Sequence, residues 1–420
     1  RDWPQIPTPL SFFKKRRYTN IKTAEVWKLD RTILHVDMNA FYASVETLSH
    51  PEALTRPMAV CGDVESRHGI ILAKNELAKR FGVQTAEPVW QAQRKCPGLL
   101  LLPPHRELYF QYSKMANQLY QRYTDLVEAA SIDESYLDVT GSRALFGEGK
   151  TIADRIRREV KEELGLTVSV GVSFCKIFAK LGSDYKKPDA TTVISRENYP
   201  QILYPLSITA LMSVGSATAG RLRDVGVQTL GDLAAMSEAA LRSLLGKQGT
   251  TLYRYVHGLD TEPVRGPDDR DEAKSIGNSL TYRRNLVTLE DIRVGVLPLA
   301  ESVAARLRRH RLKCLGVQVQ IKNPDFRMID RQTRFTRPTH LTRDLFETAM
   351  TLIEQNWKIG KPIRLISVTA IGLVPEDAAV QLDLFSEAKD ESKLEALDST
   401  LDRHRLKYGN GALKPASILK

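Results

Sequence analysis

Apolar and polar residues follow strand and helix periods in turn along the first part of the chain. Residues 32–37 form a short apolar run that ends in an acid, Asp37, and predict a buried strand. The period becomes helical across residues 41–48. Apolar runs at residues 58–60 and 69–72 predict further strands, between helices interrupted by glycine and proline.

The alternation continues as far as residue 172. Residues 105–130 predict a long amphipathic helix, residues 150–164 a second helix, and residues 167–172 another buried strand. Strands that alternate with helices predict an α/β or α+β core.

Residues 195–262 have a different pattern, with short helical segments punctuated by glycine and no convincing strand, which predicts a small all-helical domain. Residues 263–272 are polar, contain two prolines and predict an exposed linker.

The pattern predicts a further α+β domain at residues 273–374. Val317, Val319 and Ile321 alternate with polar residues, at the period of a half-buried strand. Apolar residues between 292 and 307 repeat at helical spacing, and Pro298 predicts that this helix starts or kinks there. The composition turns polar at residue 375, which predicts a largely disordered tail over residues 375–420.

Composition adds a preference for a polyanionic partner. The 420 residues suffice for two to four domains, and 42% hydrophobic with 26% charged residues is ordinary for a folded protein. Lys and Arg number 61 against 50 Asp and Glu, a net charge of +11. This balance favours nucleic acid or an anionic membrane surface, although an ordinary basic protein is equally compatible with it. No apolar run approaches the ~20 residues of a membrane span.

Two local features bear on the compartment and on the chain start. The four cysteines, Cys61, Cys96, Cys175 and Cys314, stand singly, which suits a reducing cytosol and argues against disulfides and zinc. Residues 1–29 predict an extension ahead of the fold. Its basic cluster at residues 14–17 suits a solvated tail better than a DNA contact.

Candidate chemistry lies in carboxylates. Asp37 ends the first predicted strand, and Asp133 and Glu134 are adjacent acids within SIDES at residues 131–135. Neighbours in a regular strand face opposite ways, so both acids reach one site only at a bend. Three converging carboxylates would hold two divalent cations ~3.5–4 Å apart, the arrangement for phosphoryl transfer. Oxygen ligands favour Mg²⁺ or Mn²⁺, although such acids often only form turns or cap helices.

The sequence ILHVDMNAFYASVE at residues 33–46, followed by SIDES at residues 131–135, resembles the Y family of DNA polymerases, DinB (polymerase IV) branch. The resemblance covers roughly residues 30–385. It implies an α+β right-hand polymerase with the following parts: palm 30–40 and 105–194, fingers 41–104, thumb 195–262, little finger 273–374.

The resemblance also implies the activity. It is DNA-directed addition of deoxynucleotides to a primer 3′ end, with low fidelity and no proofreading, in translesion synthesis during DNA repair and damage tolerance. Asp37 and Asp133 would bridge two Mg²⁺ ions, with Mn²⁺ as an alternative, and the Met38 carbonyl would be a further ligand. Glu134 would hold the ion that activates the primer hydroxyl. The implied protein is a monomer in a bacterial cytoplasm.

The resemblance assigns the triphosphate to residues 39–42, Asn39, Ala40, Phe41 and Tyr42, because a helix that starts there offers free backbone N–H groups. Tyr42 matches the steric gate that excludes a 2′-hydroxyl; by position alone it would be a core aromatic. Lys187, in the sequence DYKKP at residues 184–188, matches the lysine on the β- and γ-phosphates, whereas a lysine before proline is normally a surface residue.

The fingers depart from the family pattern. Ala73, Glu76 and Lys79 stand where family members often carry Ser or Thr, Tyr and Arg. Ala73 offers no hydroxyl and Lys79 lacks the bidentate grip of arginine. We therefore expect Lys74 or Lys79 to supply the charge for the triphosphate, and Glu76 to face solvent or to pair with a neighbouring base.

The remaining motifs predict DNA contacts. Gly215, Ser216 and Ala217 resemble a helix-hairpin-helix start, which holds a phosphate without reading bases, with residues 245–250 as a companion. Glycines between helices are also common C-caps. The little finger is rich in arginine, and backbone-directed cations suit binding of any template. The little-finger arginines are Arg283, Arg284, Arg306, Arg308, Arg309, Arg331 and Arg334.

The polar tail contains QLDLF at residues 381–385, which resembles the peptide that binds the bacterial sliding clamp. Gln381, Leu382, Leu384 and Phe385 would fill a cleft on the clamp, and the alternative is an accidental apolar patch. Two rival functions stay open: a non-catalytic protein that binds DNA and the clamp, and a nucleotide cyclase on a similar palm.

Overall fold

The computed structural model describes residues 30–64, 69–266, 269, 272–378, 392–409 and 412–413. These residues form two compact units. One contains the described residues as far as Asn39 and those from Phe110 to Gly266, and the other contains those from Ala40 to Tyr109 and those beyond the linker. The fold is α+β, as predicted. Within the described ranges, no helix has the length and apolar character needed to span a membrane.

The strands, numbered in chain order, are β1 (Ile33–Met38), β2 (Met58–Cys61), β3 (Ile71–Lys74), β4 (Leu100–Leu102), β5 (Val127–Ala129), β6 (Glu134–Asp138), β7 (Val168–Ser173), β8 (Thr191–Ile194), β9 (Ser275–Leu286), β10 (Leu312–Lys322), β11 (Met328–Thr339) and β12 (Ile363–Pro375). The helices are α1 (Phe41–Ser49), α2 (Glu76–Arg80), α3 (Val89–Lys95), α4 (Arg106–Tyr120), α5 (Arg143–Phe146), α6 (Gly149–Leu164), α7 (Lys176–Tyr185), α8 (Tyr199–Leu203), α9 (Ser216–Arg223), α10 (Leu230–Ala235), α11 (Glu238–Leu245), α12 (Lys247–Val256), α13 (Leu289–Arg309), α14 (Thr342–Asn356) and α15 (Ser392–Tyr408).

The first unit is built on a sheet with the strand order β5-β6-β1-β7-β8. Its central strand, β1, is buried along its whole length, which explains its continuous apolar sequence. It pairs antiparallel with β6 on one side and β7 on the other. The end of β1 therefore lies between two neighbouring strands.

One helix of the first unit, α7, packs unusually close to this sheet. A Cβ atom on Gly171 of β7 would lie 1.8 Å from the carbonyl oxygen of Ala179 and 2.5 Å from the amide nitrogen of Ser183. Glycine is therefore required there, because it lets the helix backbone approach the strand directly. This close approach carries the α7 side chains Lys180 and Ser183 to the sheet.

The helical domain predicted for residues 195–262 is present, with the short helices α8 to α12 around one apolar core. Phe174, which precedes α7, and Phe178, in the first turn of α7, belong to the same core. The helical domain is therefore packed on the sheet domain through α7.

The linker prediction is wrong in its first part. Val264 is only 4% exposed, in a cluster with Ile33 and Tyr136. A buried ion cluster fixes the same segment, because Lys176 lies 2.7 Å from Glu128 and the Glu128 carboxylate accepts the Arg265 backbone N–H at 2.8 Å. Sequence composition missed these contacts because the partners of the segment are more than 80 residues away along the chain.

The predicted helix over residues 105–130 is also shorter in the structure. It ends at Tyr120, and Val127–Ala129 forms the edge strand β5 beside β6. The Thr124 hydroxyl accepts the Leu126 N–H at 3.2 Å and donates to the Asp138 carbonyl at 2.7 Å, which turns the chain into the sheet.

The second unit contains two sheets. The smaller one has the order β3-β2-β4, and the larger one has the order β11-β10-β12-β9. Helices α13 and α14 pack on the larger sheet, where Val317, Val319 and Ile321 point into the core as their alternation predicted. Pro298 lies inside α13, so the helix does not start there.

The predicted tail contains a helix that sequence analysis missed. In α15, Asp398 and Asp402 lie 2.9 Å and 2.7 Å from the guanidinium of Arg308, and Arg405 lies 3.0 Å from Glu301. The prediction of disorder over residues 392–408 is therefore wrong. The polar composition that suggested disorder supplies the ion pairs through which α15 docks on α13. The described residues before this helix end at residue 378.

The contact at Gly171 gives a stability prediction. Replacing Gly171 with Ala should lower the free energy of unfolding by about 1–3 kcal/mol, because strand and helix backbones must separate to admit the methyl group. Urea unfolding followed by circular dichroism measures it. Gly141→Ala is the control, since a Cβ at Gly141 has no heavy atom within 4 Å. Equal stability of the two variants would contradict the role of Gly171.

Candidate active site

Two of the predicted acids face each other across neighbouring strands. Asp37 of β1 is paired with Glu134 of β6 in the antiparallel register, so both side chains emerge on the same face of the sheet. Asp37 is only 5% exposed. The register therefore brings together two acids that lie 97 positions apart in the sequence.

Asp133 lies in the bend that the sequence required. The backbone N–H groups of Ala130 and Ser131 both donate to the Glu134 carbonyl, at 2.9 and 3.1 Å, and the Met38 N–H donates to the Asp133 carbonyl at 3.0 Å. The Asp133 carboxylate accepts the Ser131 hydroxyl at 2.6 Å. The backbone of Asp133 is therefore fixed beside the end of β1, while its side chain is held by its own turn.

Two lysines neutralise the facing acids. Lys187 lies 2.6 Å from Asp37, and Lys180 of α7 lies 2.7 Å from Glu134. Asp184, one turn after Lys180, lies 2.7 Å from Lys187. Sequence analysis missed Lys180, although its spacing of four residues before Asp184 on one helix was a usable signal.

The two facing acids have opposite electrostatic environments. Burial raises the pKa of Asp37 to about 6, against the opposing hydrogen bond and charge of Lys187. The nearby imidazole of His35 and the hydrogen bond from Lys180 hold the pKa of Glu134 well below its usual range. His35 is itself buried, with Nδ1 2.8 Å from the Ser183 hydroxyl and Nε2 3.5 Å from Glu134.

The donor set suits a hard divalent cation in its chemistry, since it consists of carboxylate oxygens. Within the described ranges, however, no three acid, histidine or cysteine side chains converge closely enough to enclose an ion. Asp133 differs from the other two acids in being bound to Ser131. This hydrogen bond involves Oδ1, one of the two oxygens of the Asp133 carboxylate.

The side chain of Asn39 has a positioning role that sequence analysis did not predict. Its Oδ1 accepts the Asp189 N–H at 2.9 Å and its Nδ2 donates to the Ser169 hydroxyl at 2.8 Å. Arg157 also binds Asp189, through both the carboxylate and the carbonyl. These bonds hold the loop that carries Lys187 beside β1.

In the second unit, the helix α1 begins at Phe41 without a side-chain cap, and Ala40 before it has φ 45° and ψ 43°. That left-handed conformation is uncommon for alanine. Tyr42, in the first turn of α1, stacks on Tyr109 with ring centroids 4.1 Å apart and an angle of 11°.

The atypical fingers residues lie on β3 and α2. Glu76 pairs with Lys79 at 3.4 Å, which is one of the two outcomes expected for Glu76. Lys74 donates to the Thr85 hydroxyl at 3.1 Å, and burial lowers the pKa of its ammonium. Ala73 packs against a small apolar cluster.

The two predicted hairpins of the helical domain lie together. Gly215 precedes α9 and Gly246 precedes α12, and neither helix has a side-chain cap. Gly246 has φ 66° and ψ −140°, a conformation accessible essentially only to glycine. Gln248 donates to the Ser213 carbonyl at 2.7 Å. The uncapped N-termini of two helices are therefore held side by side.

The little-finger arginines differ in their surroundings. Arg283 pairs with Asp63 at 2.7 Å, Arg284 with Asp291 at 2.6 Å, and Arg331 binds Asn356 at 2.9 Å. Arg334 is exposed on β11 opposite Gly316. Arg308 is largely buried against α15, so it is not available to DNA while that helix is docked.

Two further predictions concern the cysteines and the tail. All four cysteines are unpaired and buried, in agreement with the expectation of no disulfides. The predicted clamp-binding residues Gln381, Leu382, Leu384 and Phe385 lie outside the described residues.

Comparison with known families identifies three matching segments. Residues 36–184 match the impB/mucB/samB family, residues 273–384 match the C-terminal domain of that family, and residues 209–260 match the model described as the DNA polymerase-iota thumb domain. The matches together include both units of the structure.

Comparison with individual proteins agrees with these family matches. The chain is 45% identical to a DNA polymerase IV of Acetivibrio thermocellus, over 93% of this chain and 98% of that protein. It is 37% identical to DNA polymerase IV 1 of Bacillus subtilis strain 168, over 93% and 94% of the two chains. Among solved structures it resembles a Y-family DNA polymerase chimera of Dbh and Dpo4, with a TM-score of 0.72 and 25% identity over 82% of this chain and 99% of that one.

Proposed function

The chain belongs to the Y family of DNA polymerases, in the DNA polymerase IV branch, and we propose that Asp37, Asp133 and Glu134 carry its nucleotidyl transfer. It is a DNA-directed translesion polymerase, so its substrates are DNA and deoxynucleoside triphosphates. The relatives favour this activity over a cyclase or a non-catalytic binding protein. The observation that carries the site proposal is the register that sets Asp37 opposite Glu134.

The family uses divalent metal ions. Asp37, Asp133, Glu134 and the Met38 carbonyl would hold two Mg²⁺ or Mn²⁺ ions, which lower the pKa of the primer hydroxyl and stabilise charge on the triphosphate when bound. The all-oxygen donor set supports this assignment. Asp133 can keep the Ser131 hydroxyl on one carboxylate oxygen while the other oxygen binds a cation, because a carboxylate accepts through both oxygens.

The lysines complete the proposed nucleotide site. Lys187 is placed beside Asp37 by the loop that Asn39 holds, so its ammonium can move from the carboxylate to the β- and γ-phosphates while Asp184 still binds it. Lys180 stays on Glu134 and keeps that acid ionised. The uncapped start of α1, after Asn39 and Ala40, offers backbone N–H groups to the triphosphate.

In the fingers, we propose Lys74 or Lys79 as the cation that replaces the family's arginine. The Glu76 carboxylate partly neutralises Lys79, whereas Lys74 donates to the neutral hydroxyl of Thr85, which favours Lys74. Nucleotide KM values for the single alanine variants distinguish the two lysines.

For DNA, we propose that the paired N-termini at Gly215, Ser216 and Ala217 and at Gly246 bind backbone phosphates. The exposed Arg334 would add a further phosphate contact, and Arg283, Arg284 and Arg331 could do so after leaving their present partners.

We also propose that residues 381–385 bind the bacterial sliding clamp, on the support of their sequence and the bacterial relatives. The proposed working form is a monomer in the bacterial cytoplasm.

The carboxylate assignment predicts loss of synthesis without loss of DNA binding. Asp133→Ala/Glu134→Ala should slow primer extension at least about a hundredfold, because the groups that organise charge in the transition state are gone. Extension of a primed template with Mg²⁺ measures it, together with DNA binding. Glu162→Ala/Glu163→Ala, which removes two adjacent exposed acids from α6, is the control with the same change in net charge. Full extension by the active-site variant would exclude the assignment.

The gate assignment predicts a change in sugar selection. Tyr42→Ala should raise kcat/KM for a ribonucleotide relative to the matching deoxynucleotide by about tenfold or more, because the ring that would clash with the 2′-hydroxyl is absent. Single-nucleotide insertion with each substrate gives the ratio. An unchanged ratio would refute the assignment of Tyr42.

The clamp assignment predicts a loss of binding that spares synthesis. Leu382→Ala/Phe385→Ala should weaken binding to a purified bacterial sliding clamp by about 30-fold or more, as truncated interface anchors do. Leu397→Ala/Leu406→Ala removes two exposed apolar side chains from α15 and is the matched control. Equal affinities of the two variants would contradict the role of residues 381–385.

A further inference from the structure

A buried carboxylate, Glu46, lies behind the proposed sugar gate. Glu46 is 1% exposed and follows Tyr42 by four residues on α1, so both side chains emerge from one face of that helix, one turn apart. A buried carboxylate requires several hydrogen-bond donors, which makes its surroundings well determined.

The donors come from the start of α4. The Tyr109 hydroxyl donates to Glu46 Oε1 at 2.5 Å, and Nδ1 of His105 lies 3.0 Å from both carboxylate oxygens. The His105 backbone N–H lies 3.1 Å from the Tyr109 hydroxyl and 3.3 Å from Glu46 Oε1. His50, after the end of α1, lies 3.9 Å from Glu46 Oε2. The Tyr109 hydroxyl is therefore fixed from two directions.

The ring of Tyr109 supports the ring of Tyr42. The two rings are nearly parallel at 4.1 Å, and Phe41 lies against Tyr109 at a centroid distance of 6.1 Å. Tyr42 is only partly buried, so one side of its ring is supported and the remainder is accessible. Any tilt of Tyr109 about its hydroxyl end would change the support under Tyr42.

We propose that Glu46 is a positioning residue for sugar selection, which acts by holding the Tyr109 ring flat against Tyr42. The proposal rests on the proposed function, because it assumes that Tyr42 is the gate. A carboxylate suits this role since it accepts the tyrosine hydroxyl in a short, charge-assisted hydrogen bond, and a rigid ring beneath the gate fixes where the gate meets the 2′ position.

The test measures kcat/KM for a ribonucleotide over that for the matching deoxynucleotide. Glu46→Leu, which keeps the volume and loses the acceptor, should raise this ratio about tenfold, and Tyr109→Phe should raise it in the same direction. Glu46→Gln retains an acceptor for the hydroxyl and should keep the ratio within about twofold of the native value. Glu87→Leu is the matched control, because Glu87 is another buried acid of the same unit, bound by Lys95.

The Tyr42→Ala background separates positioning from other effects. If Glu46 acts through Tyr42, adding Glu46→Leu to Tyr42→Ala leaves the ratio unchanged, since coupled residues are not additive. An effect of full size in that background overturns the proposal. So does a native ratio in both Glu46→Leu and Tyr109→Phe when Tyr42→Ala alone raises it, while the gate assignment stands. If Tyr42→Ala itself leaves the ratio unchanged, the assignment of Tyr42 as the gate is wrong, and the proposal for Glu46, which depends on that assignment, is wrong with it. Should Glu46→Leu fail to fold, Tyr109→Phe against Glu46→Gln decides the matter.

Discussion

The cross-strand pair Asp37 and Glu134 is the feature on which the lysine contacts of the first unit depend. The two acids are cross-strand neighbours at the end of a buried strand, where both charges lie partly out of water. Lys187 and Lys180 balance them from the loop after α7 and from α7 itself, and neither lysine could reach the acids if the helix were farther from the sheet. The contact of α7 with Gly171 therefore helps to place both lysines beside the acids.

The local sequence pattern predicted the elements that are stabilised by local contacts or are buried on both faces. The apolar run ending in Asp37 and the strand predicted at 167–172, which is Val168–Ser173 in the structure, were evident because both faces of each are covered. The elements that sequence analysis missed depend on distant partners. The edge strand β5 is formed by pairing with β6, the segment around Val264 is buried by contacts with the sheet domain, and α15 docks through Arg308. No period within those segments contains this information.

The same distinction applies to the site. The three acids proposed as metal ligands were chosen from motif and spacing, and a bend at Asp133 was expected because Asp133 and Glu134 are adjacent. The function of Asn39 was not predictable, because its partners Asp189 and Ser169 are brought to it only by the fold. Net charge was a poor guide to individual contacts. Arginines that contribute to the excess of +11, such as Arg284 and Arg308, are engaged in ion pairs within the second unit.

The helical domain is connected to the sheet at both edges of that sheet. The chain enters it from β8, at one edge, and leaves it through the segment that Lys176, Glu128 and Val264 fasten near β5, at the other edge. The helical domain is therefore attached to the sheet at two separate points. A pull on the chain beyond residue 266 would load the buried ion cluster and the sheet before it reached the helices.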